Sequence, residues 1–66
     1  MSCYLLEKAL YSDTTDAEKV TLMVMADQTS DEGEYLDGTL EDVAGKRGIE
    51  PLELKRIWSN FLRRIR

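Results

Sequence analysis

Leu40-Glu41-Asp42-Val43-Ala44-Gly45-Lys46-Arg47-Gly48-Ile49-Glu50-Pro51-Leu52-Glu53-Leu54-Lys55-Arg56-Ile57-Trp58 is the stretch that decides the fold. It has the spacing of a helix-turn-helix. Ala44 is the small residue such a unit needs where its two helices cross, and Gly48 supplies the turn four positions later. Ile49 follows as an apolar plug for the corner. Leu54 and Ile57 then fall on the inner face of the second helix. A glycine ends a helix because it adopts the left-handed conformation without a Cβ clash. A proline suits a helix's first turn, where its missing N–H costs nothing. The first helix is therefore expected over about Leu40 to Arg47, capped by Thr39, with Asp42 three residues on. The second is expected from Pro51 to about Ile65, with Leu54, Ile57, Trp58, Phe61 and Ile65 on its apolar face.

Upstream, Thr15 and Glu18 have the capping-box spacing and open a helix that ends near Ala26. Ala17, Val20, Met23 and Val24 form one stripe of it, and Leu22, Met25 and Ala26 widen that stripe. A helix apolar over most of its girth is expected to be central. Ser2 to Tyr11 is a shorter helical stretch, with Leu5, Leu6, Ala9 and Leu10 at helical spacing. Between Asp27 and Gly38 lie turn residues, and Glu34-Tyr35-Leu36 is expected to form one short strand. The expected core is Val20, Met23, Val24, Val43, Ala44, Ile49, Leu54, Ile57, Trp58 and Phe61. Tyr4, Tyr11 and Tyr35 belong at edges, where one end of the ring meets water.

The fold class expected is mainly α: one small helix-turn-helix domain over residues 1–66, with an N-terminal helix. Sixty-six residues bury only about 60% of the surface the unfolded chain exposes, too little for a core plus a deep substrate cleft. Apolar residues at 42% and charged residues at 33% fit a soluble globular chain. There is no histidine and one cysteine, Cys3. That excludes histidine acid–base chemistry, a Cys/His zinc site and an internal disulfide. A calcium loop starting at Asp27 would need glycine sixth and glutamate twelfth, but Glu32 and Gly38 stand there. Glu41 and Asp42 are adjacent and diverge around a helix, so they make no acid pair. No cofactor, metal or enzymatic activity is expected. The longest apolar run, Leu22 to Ala26, is far below the roughly 20 residues of a membrane span. No signal peptide is evident, and the expected location is the cytoplasm.

Charge is segregated. Residues 1–43 sum to −9 and residues 44–66 to +5, within a net charge of −4. The basic third suits a polyanion, and the rest repels one.

These features together resemble the winged-helix domains of phage and plasmid replication proteins. The resemblance runs from about Glu18 to Leu62. It is carried by Val20 to Ala26 followed by Asp27, then Asp31-Glu32-Gly33-Glu34, Thr39 to Ala44, and Gly48-Ile49. The family's wing would follow the last helix. Since the sequence closes at Arg66, the expectation is a wingless version. The resemblance implies a DNA-binding regulator with the second helix of the pair in the major groove. Lys55, Arg56, Ser59 and Asn60 would then face the bases, with Lys46, Arg47, Arg63 and Arg64 on phosphates. Glu50 and Glu53 at the head of that helix, and the apolar Leu52, depart from the family's pattern. They favour an alternative: a non-enzymatic module that antagonises a host or phage protein through Leu52 or the acidic loop residues Asp31, Glu32 and Glu34. A homodimer through Leu5, Leu6 and Leu10 of the N-terminal helix is also expected.

Overall fold

A computed structural model describes residues 2–65. Four helices follow one another: α1 (Cys3–Leu10), α2 (Asp16–Asp27), α3 (Thr39–Arg47) and α4 (Pro51–Arg64). α1 packs on α2, α2 packs on both α3 and α4, and α3 packs on α4. The thinnest dimension is 16 Å, about the span of two helix layers. None of the described helices is long and apolar enough to cross a membrane.

The helix ends follow from local chemistry. The Glu18 N–H donates to Thr15 Oγ1 at 3.2 Å, and the Thr15 hydroxyl donates to Glu18 Oε1 at 3.2 Å. The capping pair is thus present, although the Glu18 carboxylate takes the hydroxyl proton rather than a backbone one. Gly48 stands at φ +69°, ψ 31°, and the Ile49 N–H then reaches the Ala44 carbonyl at 3.0 Å. Pro51 opens α4, as its fixed φ favours. The cap of α3 differs from the expectation. Gly38 holds the cap position and Thr39 is already helical. The Leu36-Asp37-Gly38 turn, closed by Thr39 N–H to Leu36 O at 3.1 Å, feeds the chain in through the glycine. No Thr39 side-chain cap forms.

The core consists of Leu5 and Ala9 from α1, Leu22, Met25 and Ala26 from α2, Val43 and Ala44 from α3, and Leu54, Ile57, Trp58 and Phe61 from α4. The Trp58 and Phe61 rings pack tilted at 37° with centroids 5.2 Å apart. Two expectations need correction here. α2 turns Thr21, Leu22, Met25 and Ala26 fully inward, while Met23 and Val24 pack only against the edge of the core and Val20 lies outside it. Val20 is 43% exposed, while Met23, Val24 and Ile49 are only half-buried. Apolar residues surround α2, so periodicity alone does not choose its inner face. α1 is also part of the core rather than spare surface. Leu5 and Ala9 are buried, Leu6 is half-buried, and only Leu10 of the expected dimer residues is well exposed.

The connection from α2 to α3 contains no strand among the described residues, so the expectation for Glu34-Tyr35-Leu36 fails. A strand needs a second strand for its ladder, and every neighbouring element is helical. The loop closes on itself instead. The Ser30 N–H donates to Glu34 O and the Gly33 N–H to Ser30 O, both at 2.9 Å. Two long-range contacts then fasten it. The Trp58 indole N–H donates to the Gly33 carbonyl at 3.2 Å. The Ser2 hydroxyl donates to Asp31 Oδ1 at 2.7 Å while accepting the Leu5 N–H that starts α1. No buried side-chain polar atom among the described residues lacks a partner.

Ala44→Leu should force α3 and α4 apart and cost about 1–3 kcal/mol by overpacking. Urea denaturation matching the parent would refute the close crossing at Ala44. Gly33 stands at φ +86°, and a Cβ there would lie 2.8 Å from Leu62 Cδ1. Gly33→Ala should therefore cost about 1–3 kcal/mol, chiefly through backbone strain, as read in the same denaturation experiment.

Candidate nucleic-acid interface

The sequence of α4 divides it cleanly. Leu54, Ile57, Trp58 and Phe61 face the core, so residues near the opposite side face water. That outer stripe runs Leu52, Arg56, Ser59, Arg63, at the spacing of one helix face. All four are exposed, Lys55 is exposed on one shoulder, and half-buried Asn60 lies on the other. Asn60, Arg63 and Arg64 line one shallow surface depression. Arg64 also borders a cleft of about 460 Å³ at the end of α1, beside Glu7 and Asp13.

Several of the expected DNA contacts are already engaged. Arg56 donates to the Glu53 carboxylate, and Arg63 donates to the Asn60 side-chain oxygen. Lys46 pairs with Asp42 one helical turn away at 3.1 Å. Exposed pairs of this kind contribute about 0–1 kcal/mol, so a phosphate can replace the carboxylate at little cost. The Glu53 hydrogen bond first, and its charge second, hold the Arg56 guanidinium even more firmly protonated than usual. Glu18 at the head of α2 adds to this from across the fold.

Arg47 has a different role from its neighbours. Its Nε–H donates to Thr21 Oγ1 of α2 at 3.1 Å, and the residue is only half exposed. Thr21 in turn donates to the Ala17 carbonyl. Arg47 is therefore a strut between α3 and α2 as well as a basic residue of α3. Nothing local in the sequence marks this pairing, because its partners are 26 positions apart. Lys55, Ser59 and Arg64 make no side-chain hydrogen bond or ion pair with another described residue.

The surfaces expected to bind protein are divided in the same way. Asp31 is engaged by Ser2, while Glu32 and Glu34 are exposed. Leu52 is 80% exposed at the head of the α4 stripe.

The basic and acidic groups of α4 are unevenly spread. Glu50 caps its head and Glu53 stands in its first turn beside Arg56, while its last turns hold Arg63 and Arg64 with no acid among them. The positive end is thus the C-terminal half. These cations also oppose the negative end of the helix dipole.

No known family model, characterised protein or solved structure matches the chain.

Thr21→Val keeps the shape of α2 but removes the oxygen that accepts from Arg47. It should cost about 1.5 kcal/mol, the scale of a hydrogen bond to a charged group. Asp42→Asn breaks only the exposed Lys46 pair and should change stability by less than about 0.5 kcal/mol. Equal costs in thermal denaturation would contradict the distinction drawn between Arg47 and Lys46.

Proposed function

We propose that this chain is a small helix-turn-helix module that binds duplex DNA through the outer face of α4, as a phage- or plasmid-type cytoplasmic regulator. The observation that carries this reading is the exposed Arg56-Ser59-Arg63 stripe, flanked by Lys55 and Asn60, opposite a fully packed face. Fourteen helical residues span about 21 Å, long enough to lie along a major groove about 12 Å wide. The resemblance of residues 18–62 to winged-helix domains supports the same orientation. In this reading Lys55, Arg56, Ser59 and Asn60 address base edges. Arg63, Arg64 and Lys46 meet phosphates, and Arg47 holds α3 in place while its remaining N–H groups stay available.

A second reading rests on Leu52. An apolar side chain 80% exposed on the stripe that would meet the groove suits a protein surface better than DNA. In that case α4 docks a protein, and Glu50, Glu53 and the acidic loop residues Glu32 and Glu34 select a basic one.

Salt dependence separates the two. Each phosphate contact releases counterions and contributes a slope of about −0.9 in log K against log salt, so about four contacts give −3.6. Arg63→Ala and Arg64→Ala should each flatten the slope by about 0.9 without changing sequence preference. Lys55→Ala or Asn60→Ala should reduce discrimination between sites by about 1–3 kcal/mol. Replacing Glu50 and Glu53 by glutamine should tighten non-specific binding. No binding to any duplex at ~50 mM salt, by the parent or by the glutamine variant, would end the DNA reading.

A further inference from the structure

α4 carries two arginines, each held by the residue three positions before it. Arg56 donates through Nη2 to the Glu53 carboxylate, and Arg63 donates through Nη2 to the Asn60 side-chain oxygen. The geometry repeats, but the charge does not. Asn60 is neutral, so Arg63 keeps its whole positive charge for a phosphate. Glu53 is an anion, so the Glu53–Arg56 unit is neutral as a whole, and its carboxylate is repelled by any phosphate nearby. Phosphate contact therefore suits Arg63 better than Arg56. Glu53 and Arg56 are both exposed on α4. Among the described residues, neither side chain hydrogen-bonds to any other. Glu18, the other acid that acts on Arg56, takes the Thr15 hydroxyl instead.

A neutral unit of donor and acceptor matches base edges rather than the backbone. In the major groove a G·C pair presents guanine N7 and O6, which accept, and then cytosine N4, which donates. The Glu53–Arg56 unit presents the complementary order. With one N–H given to Glu53, the Arg56 guanidinium keeps four more, enough for the fork that bonds N7 and O6. The carboxylate stands beside that fork with lone pairs left to accept from N4. We propose that Glu53 and Arg56 together read one G·C pair, Arg56 taking the guanine and Glu53 the cytosine, which makes Glu53 a specificity-determining residue.

An A·T pair presents acceptor, donor, acceptor. It would set the adenine amino group against the guanidinium and thymine O4 against the carboxylate, so it is rejected at two points. The bond between Glu53 and Arg56 also holds both side chains in place before binding, which lowers the cost of ordering them. Their position is suitable as well. The N-terminal residues of a recognition helix contact base edges, and both lie in the first half of α4, with Arg63 and Arg64 in its last turn.

The assignment rests on α4 entering the groove, and one experiment separates the two. The full chain selects from a pool of duplexes with a randomised centre at ~50 mM salt. The parent should enrich sites with one fixed G·C pair. Glu53→Gln, at an exposed position, should leave the far-ultraviolet circular dichroism unchanged and lower discrimination against A·T at that pair by about tenfold. Glu50→Gln removes the same charge from the same end of the helix, and should tighten binding while keeping the preference. Placing N4-methylcytosine in the fixed pair replaces the donated hydrogen with a methyl group. It should weaken the parent by about tenfold and leave Glu53→Ala nearly unaffected. An unchanged preference in Glu53→Gln would overturn the proposal, and so would an equal loss in Glu50→Gln, since charge alone would then be responsible. Salt-dependent binding by the parent with no fixed G·C pair would overturn it too, while leaving the DNA reading intact. Failure to bind any duplex would end both.

Discussion

The Trp58 indole N–H bonded to the Gly33 carbonyl fixes the relation between the irregular and the helical parts of the molecule. The segment between α2 and α3 has no ladder to hold it, and its own turns do not place it against the rest of the chain. Trp58 does so from the middle of α4's buried face, and Leu62 lies against Gly33 on the next turn. Both contacts depend on glycine. The left-handed φ of Gly33 aims its carbonyl at the indole, and a side chain there would meet Leu62. An indole N–H buried without an acceptor would cost about 1–3 kcal/mol, a large share of the stability of so small a domain. The same loop receives Ser2 through Asp31, so α1 and α4 are fastened to it from two sides. The rotation of α4 about its axis follows. With Trp58 bound, Leu54, Ile57 and Phe61 are enclosed, and Arg56, Ser59 and Arg63 face solvent.

Electrostatics then decides what that exposed face can do. The acids outnumber the bases, yet charges act locally in salt solution, with a screening length of about 10 Å at 0.1 M. The molecule extends 24 Å along each of its longer axes. Acids at one end therefore do not cancel cations at the other. The local neighbours matter more: Glu53 for Arg56, Asp42 for Lys46, Glu7 and Asp13 in the cleft that Arg64 borders, and no acid of α4 within a turn of Arg63. This leaves the C-terminal half of α4, around Arg63, the stronger anion-facing half.

Most of the helical plan was legible in the sequence because it is written in short-range signals. The Thr15 and Glu18 pair, Gly48, Pro51 and the Leu54-Ile57-Trp58-Phe61 spacing each act within a turn or two of backbone. Ala44 at the crossing belongs with them, since residue size alone marks it. The inner face of α2 was not legible. With apolar residues all round, its orientation is decided by α1, α3 and α4 together. The burial of Leu5 and Ala9, the strut from Arg47 to Thr21 and the tie from Ser2 to Asp31 were hidden for the same reason, since each depends on tertiary contacts. The expected strand at Tyr35 failed because local propensity does not supply a pairing partner. Of the candidate site, the exposure of Arg56, Ser59 and Arg63 on one face of α4 was legible from helical spacing. Its internal pairing, Arg56 with Glu53 and Arg63 with Asn60, emerged only from side-chain geometry.

The central claim is that α4, held by Trp58, offers its outer stripe to DNA. Backbone amide shifts of the chain, followed during titration with a random-sequence duplex at low salt, test it most directly. The account predicts that the largest changes fall at Lys55, Arg56, Ser59, Arg63 and Arg64, with the Trp58 indole proton and the α1 amides unmoved. Changes confined to the acidic loop or to Leu52, or none at any residue, would contradict it.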